Sequence, residues 1–173
     1  MKSAQPDRAE LAYRQWRKAR PDLDPYPMAL LGRLNEASSV IMRDRLAPVF
    51  ASFGLQPGEF DVLATLRRSG APFALAPTAL YAATMISSGG MTNRIDKLER
   101  AGLVERRANL ADRRGTLVAL TKKGRALIDK AVVVHIDNER AVLAALSEAE
   151  QTQLDGLLKK LIAGLSDPDP VSR

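Results

Sequence analysis

Ten basic side chains fall between residues 94 and 125: Arg94, Lys97, Arg100, Arg106, Arg107, Arg113, Arg114, Lys122, Lys123 and Arg125. Only Asp96, Glu99, Glu105 and Asp112 oppose them, so this stretch holds the whole +6 excess of the 173-residue chain. A basic excess confined to one stretch points to an anionic partner docking there, nucleic acid first among them. A solvated basic surface is the plainer alternative. Ser87, Ser88, Thr92 and Asn93 lie just before it and are small polar side chains suited to reading base edges. Gly89 and Gly90 would let a backbone come close to a partner. Arg113 and Arg114 are adjacent guanidinium groups, which fit phosphate oxygens bidentately.

Other chemistries are excluded by residue type. There is no Cys and one His, so no disulfide framework, thiolate zinc site, cysteine nucleophile or multi-histidine metal centre can form within one chain. His135 follows three valines and precedes Ile136, which suits packing better than catalysis. No nucleophile elbow and no Gly-rich phosphate loop before a Lys occurs. The expectation is a protein that is not an enzyme and needs neither cofactor nor metal. No apolar run approaches the roughly 20 residues of a membrane span. The first 20 residues are charged throughout and lack the apolar core of a secretory signal. A soluble cytoplasmic protein without a membrane partner is expected. Hydrophobic residues at 46% and charged residues at 27% exclude bulk disorder.

The elements that must position these residues are mostly helical. Asp7 and Glu10 form a capping box ahead of a helix carrying Ala12, Trp16 and Ala19. Pro21 and Pro25 end it. A long helix is expected over 27–53, with Leu30, Leu34, Ala37 and Ile41 on one face and Gly54 as its stop. Pro48 conflicts with that helix, because it deletes a hydrogen bond. Pro57 opens a helix over 57–69. A short helix over 77–83, a turn at 84–86 and a helix from 87 or 88 to 101 follow. The last has an apolar face of Met91, Ile95 and Leu98. Two extended segments, 103–107 and 116–120, flank a polar tip. Thr121 caps a helix over 122–146, and the box Ser147–Glu150 opens a final one.

Two short helices joined by a tight turn and followed by a two-stranded ribbon with a basic tip make a winged helix-turn-helix. Its second helix is of a size the major groove admits. Asn93, Asp96, Lys97 and Arg100 lie opposite that helix's apolar face. The expected DNA-binding residues are therefore Ser87, Ser88, Gly89, Gly90, Thr92, Asn93, Lys97 and Arg100 on the helix, with Arg113 and Arg114 on the wing. Non-specific architectural binding and a helical protein–protein adaptor are the rival readings. The ratio of specific to non-specific DNA affinity separates the first from a regulator.

The order of elements resembles the MarR family of bacterial transcription regulators over about residues 27–165. Most specific are Leu98-Glu99-Arg100-Ala101-Gly102-Leu103-Val104-Glu105-Arg106, then Asp112-Arg113-Arg114, then Leu120-Thr121-Lys122-Lys123-Gly124. The resemblance implies a homodimer whose terminal helices intertwine and whose paired winged helices reach successive major grooves of double-stranded DNA. The chain agrees on its own account, since a winged helix cannot cover so many apolar helix faces alone. On this reading it divides into an added helix and turn (1–24), a dimerisation helix (25–56), the winged helix-turn-helix (57–121), C-terminal dimerisation helices (122–166) and a disordered tail (167–173).

The added helix with Trp16, the stretch Glu59-Phe60-Asp61-Val62-Leu63 and residues 87–94 resemble the urate-responsive branch of the family. That branch implies a repressor released from a pseudo-palindromic operator by a small anionic aromatic effector, urate or a related purine. The ligand-binding positions it implies are Trp16, Asp61, Arg94 and Arg106. Phenolic or antibiotic ligands are what the wider family implies. The residues themselves leave plainer roles open: Trp16 packing its helix, Asp61 complementing a helix dipole, Arg106 meeting phosphate. Arg94 lies about 60° from the centre of its helix's apolar face, so it points sideways.

Overall fold

The computed structural model describes residues 6–84, 90–109 and 115–165. Ser87, Ser88, Gly89, Arg113, Arg114, most of the 84–86 turn and the tail lie outside these residues.

Helix α1 (Arg8–Ala19) starts where the Asp7 carboxylate accepts the Glu10 backbone N–H at 2.7 Å. It lies on α2 (Tyr26–Val40) through small residues, with Ala9 and Ala29 buried between them. Arg33 of α2 clamps it, donating to Asp7 at 2.8 Å and to Glu10 at 3.2 Å. This clamp gives an acid-sensitive joint. The Arg33 guanidinium, helped by the Glu10 N–H, holds Asp7 below its ordinary 3.8. A carboxylate so depressed stabilises the fold above its ordinary pKa and loses that contribution as pH falls through the lowered value. Both side chains are exposed, so the effect is small. Trp16, the sole tryptophan, should therefore show an emission change below about pH 4, and Arg33→Ala should abolish that step.

The single helix expected over 27–53 is in fact three pieces. After α2 comes a wide-turned π segment, Ile41–Leu46, and then α3 (Ala47–Ser52). Pro48 is the cause. It has no N–H to give, and it sits in the first turn of α3, where none is needed. The chain gets there by widening: the Ala47 N–H bonds the Met42 carbonyl, five residues back. Asn138 of α7 (Lys122–Leu143) donates to the Arg45 carbonyl at 3.0 Å, satisfying an acceptor in the widened turn.

Helix α4 (Pro57–Arg68) begins with Pro57 and a reciprocal cap between Gln56 and Glu59. Next come α5 (Pro77–Ala83) and α6 (Met91–Arg100). Helix α6 starts later than expected. Gly90 has φ 88° and stands outside it as the cap, so the propensity cost of a glycine inside the helix is not incurred there. Strands β2 (Val104–Ala108) and β3 (Thr116–Leu120) pair antiparallel, Arg106 opposite Val118. The expected two-stranded ribbon gains a third strand, β1 (Ala74–Leu75), on the free edge of β3.

Leu63, Leu66, Leu80, Leu98, Val118 and Ile128 form the centre of one core that joins α4, α5, α6, the sheet and the first half of α7. Helix α8 (Glu148–Leu165), opened by the Ser147–Glu150 box, contributes nothing to it. Leu30, Leu31 and Leu34 of α2 and Leu157, Leu161 and Ile162 of α8 are exposed. No described helix is long and apolar enough to cross a membrane.

Candidate nucleic-acid interface

The polar face of α6 is set by burial of Met91, Ile95 and Leu98, which fixes the helix's rotation about its axis. Thr92, Asn93, Lys97 and Arg100 are consequently exposed. The N-terminal end, capped by Gly90, carries Thr92 and Asn93 outward.

The joint behind this face is built from the motif that runs from helix end to helix start. Gly102, with φ 69°, ends α6. The Thr121 hydroxyl caps α7 by accepting the Gly124 N–H at 2.9 Å and itself donates to the Gly102 carbonyl at 2.8 Å. Lys123 reaches the Ala101 carbonyl at 2.8 Å, a cation on the C-terminus of α6. Helix α6, the sheet and α7 thus meet at one point. Arg68 of α4 makes a second tie. It donates to Thr65 at 3.0 Å and to the Ala83 carbonyl, the last of α5.

The four candidate effector residues occupy three places. Trp16 is 43% exposed and lines a cavity of about 240 Å³ between α1 and α2, with Tyr13, Met28 and Ala29. Asp61, Arg94 and Arg106 do not line it. Arg94 runs along the first turn of α4, so close to Gly58 that a Cβ there would collide with its guanidinium. Asp61 is one turn further along the same helix and half-buried. The structure therefore brings Arg94 to the start of the helix that carries Asp61. Arg106 goes elsewhere. Its guanidinium pairs with both Asp96 and Glu99 of α6, and Glu99 also accepts its backbone N–H at 3.1 Å. The hydrogen bond that Arg106 donates to the Asp96 carboxylate raises the Arg106 pKa further above its ordinary value. At 100° per residue, Asp96 and Glu99 lie on the flank of α6 away from Arg94.

Gly58, Asp96 and Glu99 were not assigned a site role from sequence. A glycine in a first helical turn is a weak signal for a close approach. The carboxylates give none, because their partner lies beyond the helix. His135 packs against Phe60 and Phe50, with ring centres 4.7 and 5.3 Å away, and its Nε2 lies 3.1 Å from Glu139.

Comparison with known proteins places this geometry. The MarR family profile matches residues 53–115. The chain is 45% identical over 147 residues to the HTH-type transcriptional regulator PecS of Dickeya dadantii, covering 85% of this chain and 88% of that protein. A variant MarR from E. coli, solved with operator DNA, superposes with a TM-score of 0.67 at 26% identity, covering 84% of this chain and 96% of that one. AbsC, a MarR family regulator from Streptomyces coelicolor, superposes with a TM-score of 0.71 at 26% identity, covering 83% and 95%.

Proposed function

The chain belongs to the MarR family of DNA-binding transcriptional regulators, and from that premise we propose that it is a homodimeric repressor of a pseudo-palindromic operator, released by a small aromatic anion such as urate or xanthine. As a MarR-type regulator similar to PecS, it is not an enzyme. Ser87, Ser88, Gly89, Gly90, Thr92, Asn93, Lys97 and Arg100 read or approach the major groove, and Arg113 and Arg114 hold the backbone. The dimer rests on the uncovered faces of α2 and α8. Between them runs a groove of about 610 Å³ walled by Leu30, Leu34, Leu154 and Leu158, which a second copy fills. Two-fold symmetry then sets the half-sites about 10 bp apart.

The effector reading is carried by one observation: Arg94, from the recognition helix, is lodged on the turn of α4 that leads to Asp61. An anion there pairs with Arg94, is repelled by Asp61, and so acts directly on the placement of α6. Trp16 stands apart, on the cavity between α1 and α2; the family resemblance brings it into this reading, as a face on which a flat ring stacks. An anion at Arg106 has to compete with Asp96 and Glu99. The test is an operator titration with and without urate. A ten- to hundred-fold loss of affinity, a coupling of about 1.4–2.8 kcal/mol, is expected for the wild type. Trp16→Ala should bind the operator normally and lose that response. A variant that still responds removes Trp16 from the site. A wild type that ignores urate, xanthine and salicylate removes the effector reading and leaves DNA binding in place.

A further inference from the structure

Arg106 stands at the root of the wing, on β2, and its two partners stand one turn apart on the recognition helix. Asp96 lies on the outward side of α6 and Glu99 on the flank facing the sheet, by the rotation that burial of Met91, Ile95 and Leu98 imposes. A helix laid in the major groove brings its outer side within a few ångströms of two rows of phosphates. Asp96 there opposes binding and Glu99 on the adjoining flank adds to it, and at such range the repulsion is incompletely screened by salt. One guanidinium spans both of them. Glu99 also accepts the Arg106 backbone N–H, so the strand is tied to the helix and not the side chain alone.

We propose that Arg106 is a positioning residue for DNA binding: it locks the wing root to the recognition helix and neutralises Asp96 and Glu99, which otherwise repel the phosphate backbone. The lock also fixes the direction in which β2 and β3 carry the wing towards the minor groove. Arg106 needs no contact with DNA in this role. The inference is independent of the effector and requires only the DNA-binding activity.

A charge that acts by cancelling other charges is dispensable once those are gone, whereas a phosphate contact is not. The experiment measures operator affinity of the full-length protein across a salt series for four forms: wild type, Arg106→Ala, Asp96→Asn with Glu99→Gln, and all three changes together. Arg106→Ala should bind about ten-fold more weakly, equivalent to ~1.4 kcal/mol. The triple variant should recover to within about three-fold of the Asp96→Asn, Glu99→Gln form. That recovery also shows that the weak single variant was not merely unfolded. A triple variant as weak as Arg106→Ala, with a salt slope shallower by about one, would mean that Arg106 itself holds a phosphate and would overturn the proposal. Full affinity in Arg106→Ala would overturn it equally.

Discussion

Gly124→Ala should strongly destabilise the winged helix. Gly124 is buried in the first turn of α7, against the start of β2. A Cβ there would overlap the Leu103 carbonyl oxygen and stand 2.8 Å from the carbonyl carbon and 3.1 Å from Cα. All three are backbone atoms, so no rotamer change relieves the collision. Nor can the backbone retreat cheaply. The Leu103 carbonyl already accepts the Thr121 N–H at 3.1 Å, and Gly102 beside it is held by the Thr121 hydroxyl. Separating the elements breaks the cap of α7 and the joint of α6 with the sheet together. Overpacking of this kind costs about 3 kcal/mol or more, a large share of a typical domain's stability. The melting temperature should fall by roughly 10 °C, with operator binding lost in parallel. Thermal unfolding followed by circular dichroism measures it. A variant melting within a degree or two of wild type would show that the contact is far looser than it looks.

The second large effect concerns assembly. Leu34 and Leu161 are 41% and 42% exposed in the single chain, so an aspartate at each barely disturbs that chain's own packing. In the proposed dimer the same positions lie inside an interface expected to bury more than about 2,000 Å². A carboxylate there is desolvated without a partner. The Leu34→Asp, Leu161→Asp protein should therefore remain helical but scatter light as a monomer. Operator affinity should fall roughly hundred-fold or more, because two half-sites are no longer bound through one linked body. A folded variant that stays dimeric would move the interface away from α2 and α8.

Both effects illustrate what a sequence holds locally and what it does not. Helix starts were legible at Asp7, Thr121 and Ser147, since each cap is a contact between residues about three apart, and at Pro57, whose ring suits the first helical position. Strand β3 agreed with its expected 116–120, and the motif from Leu98 to Arg106 and from Leu120 to Gly124 located the joint of helix, sheet and α7. The reason for Gly124 was not legible, because its neighbour is the backbone of Leu103. The wide turn at residues 41–46 follows the same rule. Pro48 announces that the helix cannot continue regularly, but Asn138, 93 residues from Arg45, helps to satisfy the turn. Strand β1 is two residues long, too short for any alternation, and exists because β3 offers it a free edge. Among the candidate site residues, types and exposure on α6 followed from periodicity. The partners of Arg94 and Arg106 did not. A guanidinium reads from sequence as a cation seeking any anion, and only packing decided that Arg106 meets two carboxylates of α6 while Arg94 lies along the first turn of α4.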